Sequence, residues 1–368
     1  MSDQQRPGGR RITSLGGTGW RFGAVTARPL SAPADDRTEV GEWLPATVPG
    51  NVRSDLLAVG RIQDPFYGFN NEESQWVDDL DWWYTRPLQV NLDPGERGFL
   101  RFEGIDYISS VCLNDSALGQ HEGMFSRQVY EITGPARSGV SEVAVRIWGS
   151  NSLPRRQLSW WERLWSPIAT AFQGGSEAFP HRSATLKCQM GFGWDFAPRI
   201  RTVGIWDDVT LIVTGRVFIR DLFATAEPDG ERALVSIEAT IDSDRRYATR
   251  AETVITSSGA VDSTPQTWEF DLALEEGVQR ARLELTLPDA LLWQPWDRGE
   301  PNLYDLELRI TRGGQVLDTA AARFGVRSVR LSERTSTPRG DSGWPLLVNG
   351  APEFLRGANW VPLDALPG

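Results

Sequence analysis

The densest concentration of side chains able to hold a polar ring lies in KCQMGFGWDFAPRIRTVGIWDDVTL (187–211), an irregular stretch ahead of a regular strand. It sets Trp194 beside Asp195 in a glycine-flanked loop. A carboxylate can accept two hydroxyl hydrogen bonds while an indole covers the apolar C–H face of a pyranose, so this pair could bind a sugar. The same spacing also fits a turn capped by Asp195 with Trp194 filling the core. A second candidate is RGANWVPLD (356–364), which gathers Asn359, Trp360 and Asp364. At the carboxyl end of a strand in an α/β barrel such residues face an active site, whereas an ordinary strand-to-turn transition would read alike. A third stretch, VPGNVRSDLLAVGRIQDPFYGFNNEESQW (48–76), mixes Pro49, Gly50, Asp64 and Pro65 with aromatic residues and reads as a well-packed surface loop.

Other chemistries are poorly supplied. The two cysteines, Cys112 and Cys188, lie in no metal-binding spacing, and a disulfide between them has no support in the pattern. Two histidines, His121 and His181, are too few and too isolated for a zinc site or a histidine-based nucleophile triad. No metal or organic cofactor is expected. A net charge of −11 without a basic cluster argues against nucleic acid. The start MSDQQRPGGRR has no following apolar run, and no segment approaches bilayer-spanning length, so no membrane partner and a cytoplasmic location are expected.

The elements that must position these residues are mainly β. At 368 residues the chain exceeds one ordinary core and should divide into two or three domains. With Gly 36, Pro 23 and Trp 16, turns and indoles abound, and most of the tryptophans are expected to fill sandwich cores. Residues 1–18 lack apolar periodicity and read as a flexible leader. From 19 to 215, short alternating segments recur, as in EVAVRIW (142–148), where Val143, Val145 and Ile147 share a face. LNDSALGQ (113–120) places Asn114 and Asp115 between two such runs as a hairpin turn. LSWWERLWSPI (158–168) carries apolar residues at helical spacing and predicts a short amphipathic helix on a sandwich edge. Between 216 and 330, roughly seven regular strands suit an immunoglobulin-like sandwich. In 331–368, PLLVNG and PEFLRG predict a hairpin leading into a buried strand.

Taken in order, VPGNVRSDLLAVGRIQDPF, WVDDLDWWY (76–84), LNDSALGQHEGMFSRQVYEIT (113–133), GWDFAPRIRTVGIW and LVNGAPEFLRGANWVPLD resemble glycoside hydrolase family 2, most closely its β-mannosidase branch. The series runs from about Trp20 to Asp364 and is far more specific than any one motif. The resemblance implies a jelly-roll sugar-binding domain, an immunoglobulin-like sandwich, and then the truncated start of a (β/α)₈ barrel, which in full takes about 250 residues.

It further implies retaining hydrolysis of a terminal, non-reducing β-linked mannose, in which one glutamate protonates the leaving oxygen and another attacks the anomeric carbon. Both catalytic glutamates are expected beyond Gly368, so Glu353 and Asp364 are not promoted in their place and the chain alone is expected to be inactive. By the family match Asp195 accepts sugar hydroxyls, Trp194 walls the pocket, and Asn359 and Trp360 stand at the end of the first barrel strand. The partner so implied is a β-mannoside or related glycan. The family loop usually reads GWDWGP. Here Phe196 keeps an aromatic face without an indole N–H, and Ala197 resists positive φ. The competing readings are a non-catalytic carbohydrate-binding pair of sandwiches and a related β-galactosidase, β-glucuronidase or exo-β-glucosaminidase.

Overall fold

Alternation of apolar and polar residues dominates this chain, and it folds into strands throughout. The structure is a computed structural model and describes residues 4–5, 9–29, 36–136, 139–153, 160–161, 184–258, 264–332, 335–336, 342–343, 345–360 and 363–368. Two units emerge: Met1–Gln4, Ile12–Val213 and Trp360–Gly368 form one, Gln5–Arg11 and Thr214–Asn359 the other.

The strands around the first unit are β1 (Gln4–Gln5), β2 (Arg11–Ser14), β3 (Gly17–Thr26), β4 (Leu44–Val48), β5 (Leu80–Val90), β6 (Arg97–Phe102), β7 (Ile108–Leu113), β8 (Ser116–Glu122), β9 (Gln128–Glu131), β10 (Gly139–Ile147) and β11 (Val209–Thr214). They form a sheet ordered β1-β2-β11-β6-β9 and another ordered β4-β3-β5-β10-β7-β8, the two-layered sandwich that the patterning predicts. Val143, Val145 and Ile147 of β10 point into the shared core, as a period of two requires. Opposite them on β5, Tyr84 pairs with Val145 and Trp82 with Ile147. Phe22 stacks on both rings, at 5.7 Å from Trp82 and 5.9 Å from Tyr84. The Asn114–Asp115 hairpin forms between β7 and β8, with Asn114 at φ 53°. A short helix, α1 (Val52–Ala58), follows β4; Asn51 caps it by accepting from the Ser54 N–H at 3.0 Å.

Seven strands make the sandwich of the second unit: β12 (Val217–Asp229), β13 (Arg232–Ser243), β14 (Tyr247–Ser257), β15 (Gln266–Leu274), β16 (Gly277–Leu287), β17 (Tyr304–Arg312) and β18 (Gln315–Phe324). Their sheets run β12-β13-β16 and β15-β14-β17-β18, the immunoglobulin-like division of three strands against four. Beyond them come β19 (Val329–Leu331), β20 (Thr335–Ser336), β21 (Ser342–Gly343), β22 (Leu346–Val348) and β23 (Ala351–Glu353). The expected hairpin joins β22 to β23 through Asn349 and Gly350, both left-handed at φ 50° and 80°.

Several expectations need correction. Residues 9–18 are not a loose leader: Arg11–Ser14 is strand β2, and the Arg10 guanidinium is buried against the Asp318 carboxylate and the Ile219 carbonyl. Its partners are 209 and 308 residues away, so no local pattern announces them. After β23 the expected buried strand does not form, since residues 354–360 have no regular structure and Phe354 and Leu355 are exposed. The described tryptophans divide: Trp20, Trp82, Trp83 and Trp148 are fully buried on strands or at strand ends, Trp43, Trp206 and Trp268 pack partly buried against the cores, and Trp76, Trp194, Trp296 and Trp360, carried by turns and irregular segments, are exposed. The helix predicted over 158–168 falls outside the described residues except for Trp160 and Trp161, which are helical, exposed and stacked. Among the described residues, no helix is long and apolar enough to cross a membrane. Among the described residues, Cys112 and Cys188 are not joined by a disulfide.

Candidate functional site: the Trp194–Ala197 turn

Trp194, Asp195, Phe196 and Ala197 form a tight turn closed at both ends, with the Trp194 N–H donating to the Ala197 carbonyl at 3.1 Å and the Ala197 N–H returning to the Trp194 carbonyl at 3.3 Å. The positive φ that the turn needs falls on Gly193, at 95°, and Ala197 has none, so alanine sits here without backbone strain. At the tip Asp195 is exposed between two exposed rings, Trp194 at 49% and Phe196 at 59%. The Asp195 carboxylate has no hydrogen-bond or ion-pair partner among the described residues, so the side-chain bond that a turn-capping role requires is absent there.

Two limbs hold this tip, and both are fixed by buried charge. On the incoming limb Lys187 is buried, its ammonium paired with the Asp106 carboxylate and donating to the Thr202 carbonyl at 2.7 Å. The Thr202 hydroxyl donates to the other Asp106 oxygen at 2.6 Å, and the Asp106 backbone bridges to Gly204. Burial lowers the Lys187 pKa, and the Asp106 carboxylate works against that shift. The Leu186 N–H donates to the Tyr107 hydroxyl at 3.0 Å, and the 3₁₀ turn Gln189–Phe192 that follows buries Met190, Gly191 and Phe192. Incoming and outgoing limbs are therefore tied at their bases.

The outgoing limb is held by the 3₁₀ turn Gln75–Asp79. Arg201 donates to the buried Asp78 carboxylate at 2.9 Å, and Arg53 of α1 reaches the same carboxylate at 3.2 Å. Burial pulls the Arg201 pKa down while Asp78 opposes the shift. The Arg199 Nε donates to Gln75 Oε1 at 2.9 Å, and Gln75 Nε2 donates back to the Arg199 carbonyl at 3.0 Å. Farther along, Gly204 packs so closely on the chain before α1 that a Cβ would stand 2.7 Å from Asn51 Cα. The result is a rigid base and an exposed, polar-tipped, aromatic-walled turn. It can present one hydrogen-bond-accepting carboxylate flanked in sequence by two exposed aromatic side chains, a composition suited to a hydroxylated ring.

Residues 29–207 match the family model described as glycosyl hydrolase 2 galactose-binding domain-like, and residues 217–327 match that of glycosyl hydrolases family 2. The chain belongs to glycosyl hydrolase family 2. Within the family it is similar to the β-mannosidase of Capra hircus, at 28% identity over 333 residues that cover 88% of this chain and 37% of that protein. The crystal structure of a β-D-mannosidase from Dictyoglomus thermophilum superimposes with a TM-score of 0.74 at 31% identity, covering 97% of this chain and 41% of that one. An exo-chitosanase from Amycolatopsis orientalis shares the fold, with a TM-score of 0.64 at 22% identity over 97% of this chain and 38% of its own. This chain thus spans about two fifths of the length of the family 2 relatives it matches.

Of the sequence-predicted site residues, Trp194 and Asp195 stand together on the turn. Asn359 and Trp360 lie in the irregular segment after β23, both exposed, and neither makes a hydrogen bond or ring contact among the described residues. Sequence reasoning missed the residues that brace the turn: Lys187, Asp106, Thr202, Asp78, Arg201, Gln75 and Arg199. One signal was present. Lys187 is the single lysine in a chain whose other basic side chains are arginines, and it immediately precedes the candidate loop.

Proposed function

We propose that this chain is the sugar-recognition part of a retaining β-mannosidase acting on terminal, non-reducing β-D-mannose. One observation supports the reading: an exposed carboxylate, Asp195, without a hydrogen-bond or ion-pair partner among the described residues, stands at the tip of a turn between two exposed aromatic neighbours in sequence, and the bases of that turn are held by buried ion pairs. Asp195 accepts hydrogen bonds from two hydroxyls of the terminal sugar, and the indole of Trp194 covers its C–H face. Asn359 and Trp360 contribute further contacts to the glycan. The turn supplies a single carboxylate, whereas retaining cleavage needs an acid and a nucleophile about 5 Å apart. Those two glutamates lie in a catalytic barrel outside the 368 residues, a reading supported by the two-fifths share of the relatives' length.

The test compares aryl β-glycosides. The 368-residue chain turns over none of them, and the full-length gene product cleaves the β-mannoside with retention of configuration. In that product Asp195→Ala costs about 2 to 4 kcal/mol of transition-state stabilisation, read from kcat/KM. Hydrolysis of only a β-galactoside, β-glucuronide or β-glucosaminide would remove the mannoside assignment. A near-neutral Asp195→Ala would return this residue to a purely structural role.

A further inference from the structure

The sugar-recognition turn is exposed, yet its closing hydrogen bonds demand that Trp194 and Ala197 face each other within about 3 Å of a fixed geometry. On the incoming side the 3₁₀ turn Gln189–Phe192 buries Met190, Gly191 and Phe192. On the outgoing side the first side-chain tie after Ala197 is the reciprocal pair between Gln75 and Arg199, two residues from the turn. Gln75 also donates to the Asn71 carbonyl at 2.6 Å, so one half-buried amide links the outgoing limb to the stretch 71–75 through three hydrogen bonds. Two residues further along the outgoing limb, Asp78 fixes Arg201, but that carboxylate is fully buried and serves the fold as well. Gln75 lies at the start of the 3₁₀ turn, partly in solvent, and among the described residues its side-chain hydrogen bonds go to the Asn71 and Arg199 carbonyls and to Arg199 Nε.

We propose that Gln75 is the positioning residue of the Trp194–Ala197 turn, setting where the Asp195 carboxylate stands without touching the sugar itself. An amide is suited to this because it accepts from Arg199 and donates to the Arg199 carbonyl in one plane, fixing both the side chain and the main chain of that residue. The second bond matters more for the turn, since the Arg199 carbonyl belongs to the strand of backbone that leads directly back through Pro198 to Ala197. The inference rests on the sugar-recognition reading of Asp195, and the experiment separates the two.

In the 368-residue chain, Gln75→Ala should lower the thermal midpoint by only a few degrees and speed hydrogen exchange at the Trp194 and Ala197 amides by about tenfold, the equivalent of one ordinary net hydrogen bond. Gln75→Glu, which keeps the acceptor for Arg199 Nε, should recover part of the protection. In the full-length gene product, Gln75→Ala should lower kcat/KM for an aryl β-mannoside by about tenfold with Asp195→Ala lowering it further. Unchanged exchange at both amides overturns the positioning role while leaving the Asp195 reading intact. Faster exchange with unchanged kcat/KM in both variants overturns the sugar-recognition reading, and the positioning role falls with it.

Discussion

Replacing Lys187 by methionine should be the most damaging conservative change at the base of the Trp194–Ala197 turn. Methionine fills nearly the same volume, so the loss isolates the ammonium. That group makes two bonds in a site where both partners are shielded from water: a pairing with Asp106, itself fully buried, and a donation to the Thr202 carbonyl at 2.7 Å. Hydrogen bonds involving a charged group contribute about 1.5 to 3 kcal/mol each, and an orphaned partner of a buried pair costs about 3 to 5 kcal/mol in all. The Thr202 hydroxyl remains on Asp106 at 2.6 Å and offsets part of this, so Lys187→Met should lose about 4 kcal/mol. Equilibrium unfolding in guanidinium chloride near neutral pH, followed by the emission of the buried Trp20, Trp82 and Trp83, measures it. Adding Asp106→Asn removes the orphan charge and should restore at least half of the loss. A cost below about 1 kcal/mol, the range of a solvent-exposed pair, would refute the reasoning, as would a double variant no more stable than the single one.

Burial pushes the Asp55 carboxyl from its ordinary 3.8 up to about 6, despite bonds from the Thr47 N–H and the Tyr84 hydroxyl. The folded state thus holds this proton where the unfolded chain has released it, so the contribution is greatest below pH 3.8 and is lost as pH rises through about 6. The stability difference between the chain and its Asp55→Asn variant should shift by about 3 kcal/mol across that window, and a flat difference would exclude it. Arg10→Met should destabilise the second unit by about 3 to 5 kcal/mol by leaving Asp318 buried with backbone bonds from Ile219 and Thr319 but without the Arg10 charge, whereas a loose leader would give no change in its melting. Gly204→Ala should cost about 1 to 3 kcal/mol or more, because its Cβ would meet backbone atoms at 2.7 Å; wild-type stability would show that this approach relaxes freely.

The parts of the fold legible in the sequence are those set by local alternation and turn chemistry. Val143, Val145 and Ile147 face inward because successive strand residues point to opposite sides, and Asn114 and Asn349 turn their hairpins because asparagine tolerates φ near 50°. The Trp194–Asp195 pair was visible for a similar reason, as an acid beside an indole in a glycine-flanked turn. What braces that pair was not visible. Asp106 lies 81 residues from Lys187 and Asp78 lies 123 from Arg201, so each contact depends on how sheets and loops meet and leaves no periodic trace. Arg10 was misread for the same cause. The strand expected after β23 failed differently: PEFLRGANW looks strand-forming, but a short apolar run extends as a strand only where a neighbour takes its backbone hydrogen bonds, and past Glu353 none of the described residues does so.

Arginine everywhere else and a lone ε-amine sealed beneath the loop give this molecule an unusual analytical property. An acylating reagent meets no lysine on the folded exterior, since Lys187 is 4% exposed. Modification there can proceed only during moments when the base of the loop parts, so the rate of uptake at Lys187, read apart from that at the α-amino group, counts those openings with no competing lysines to subtract.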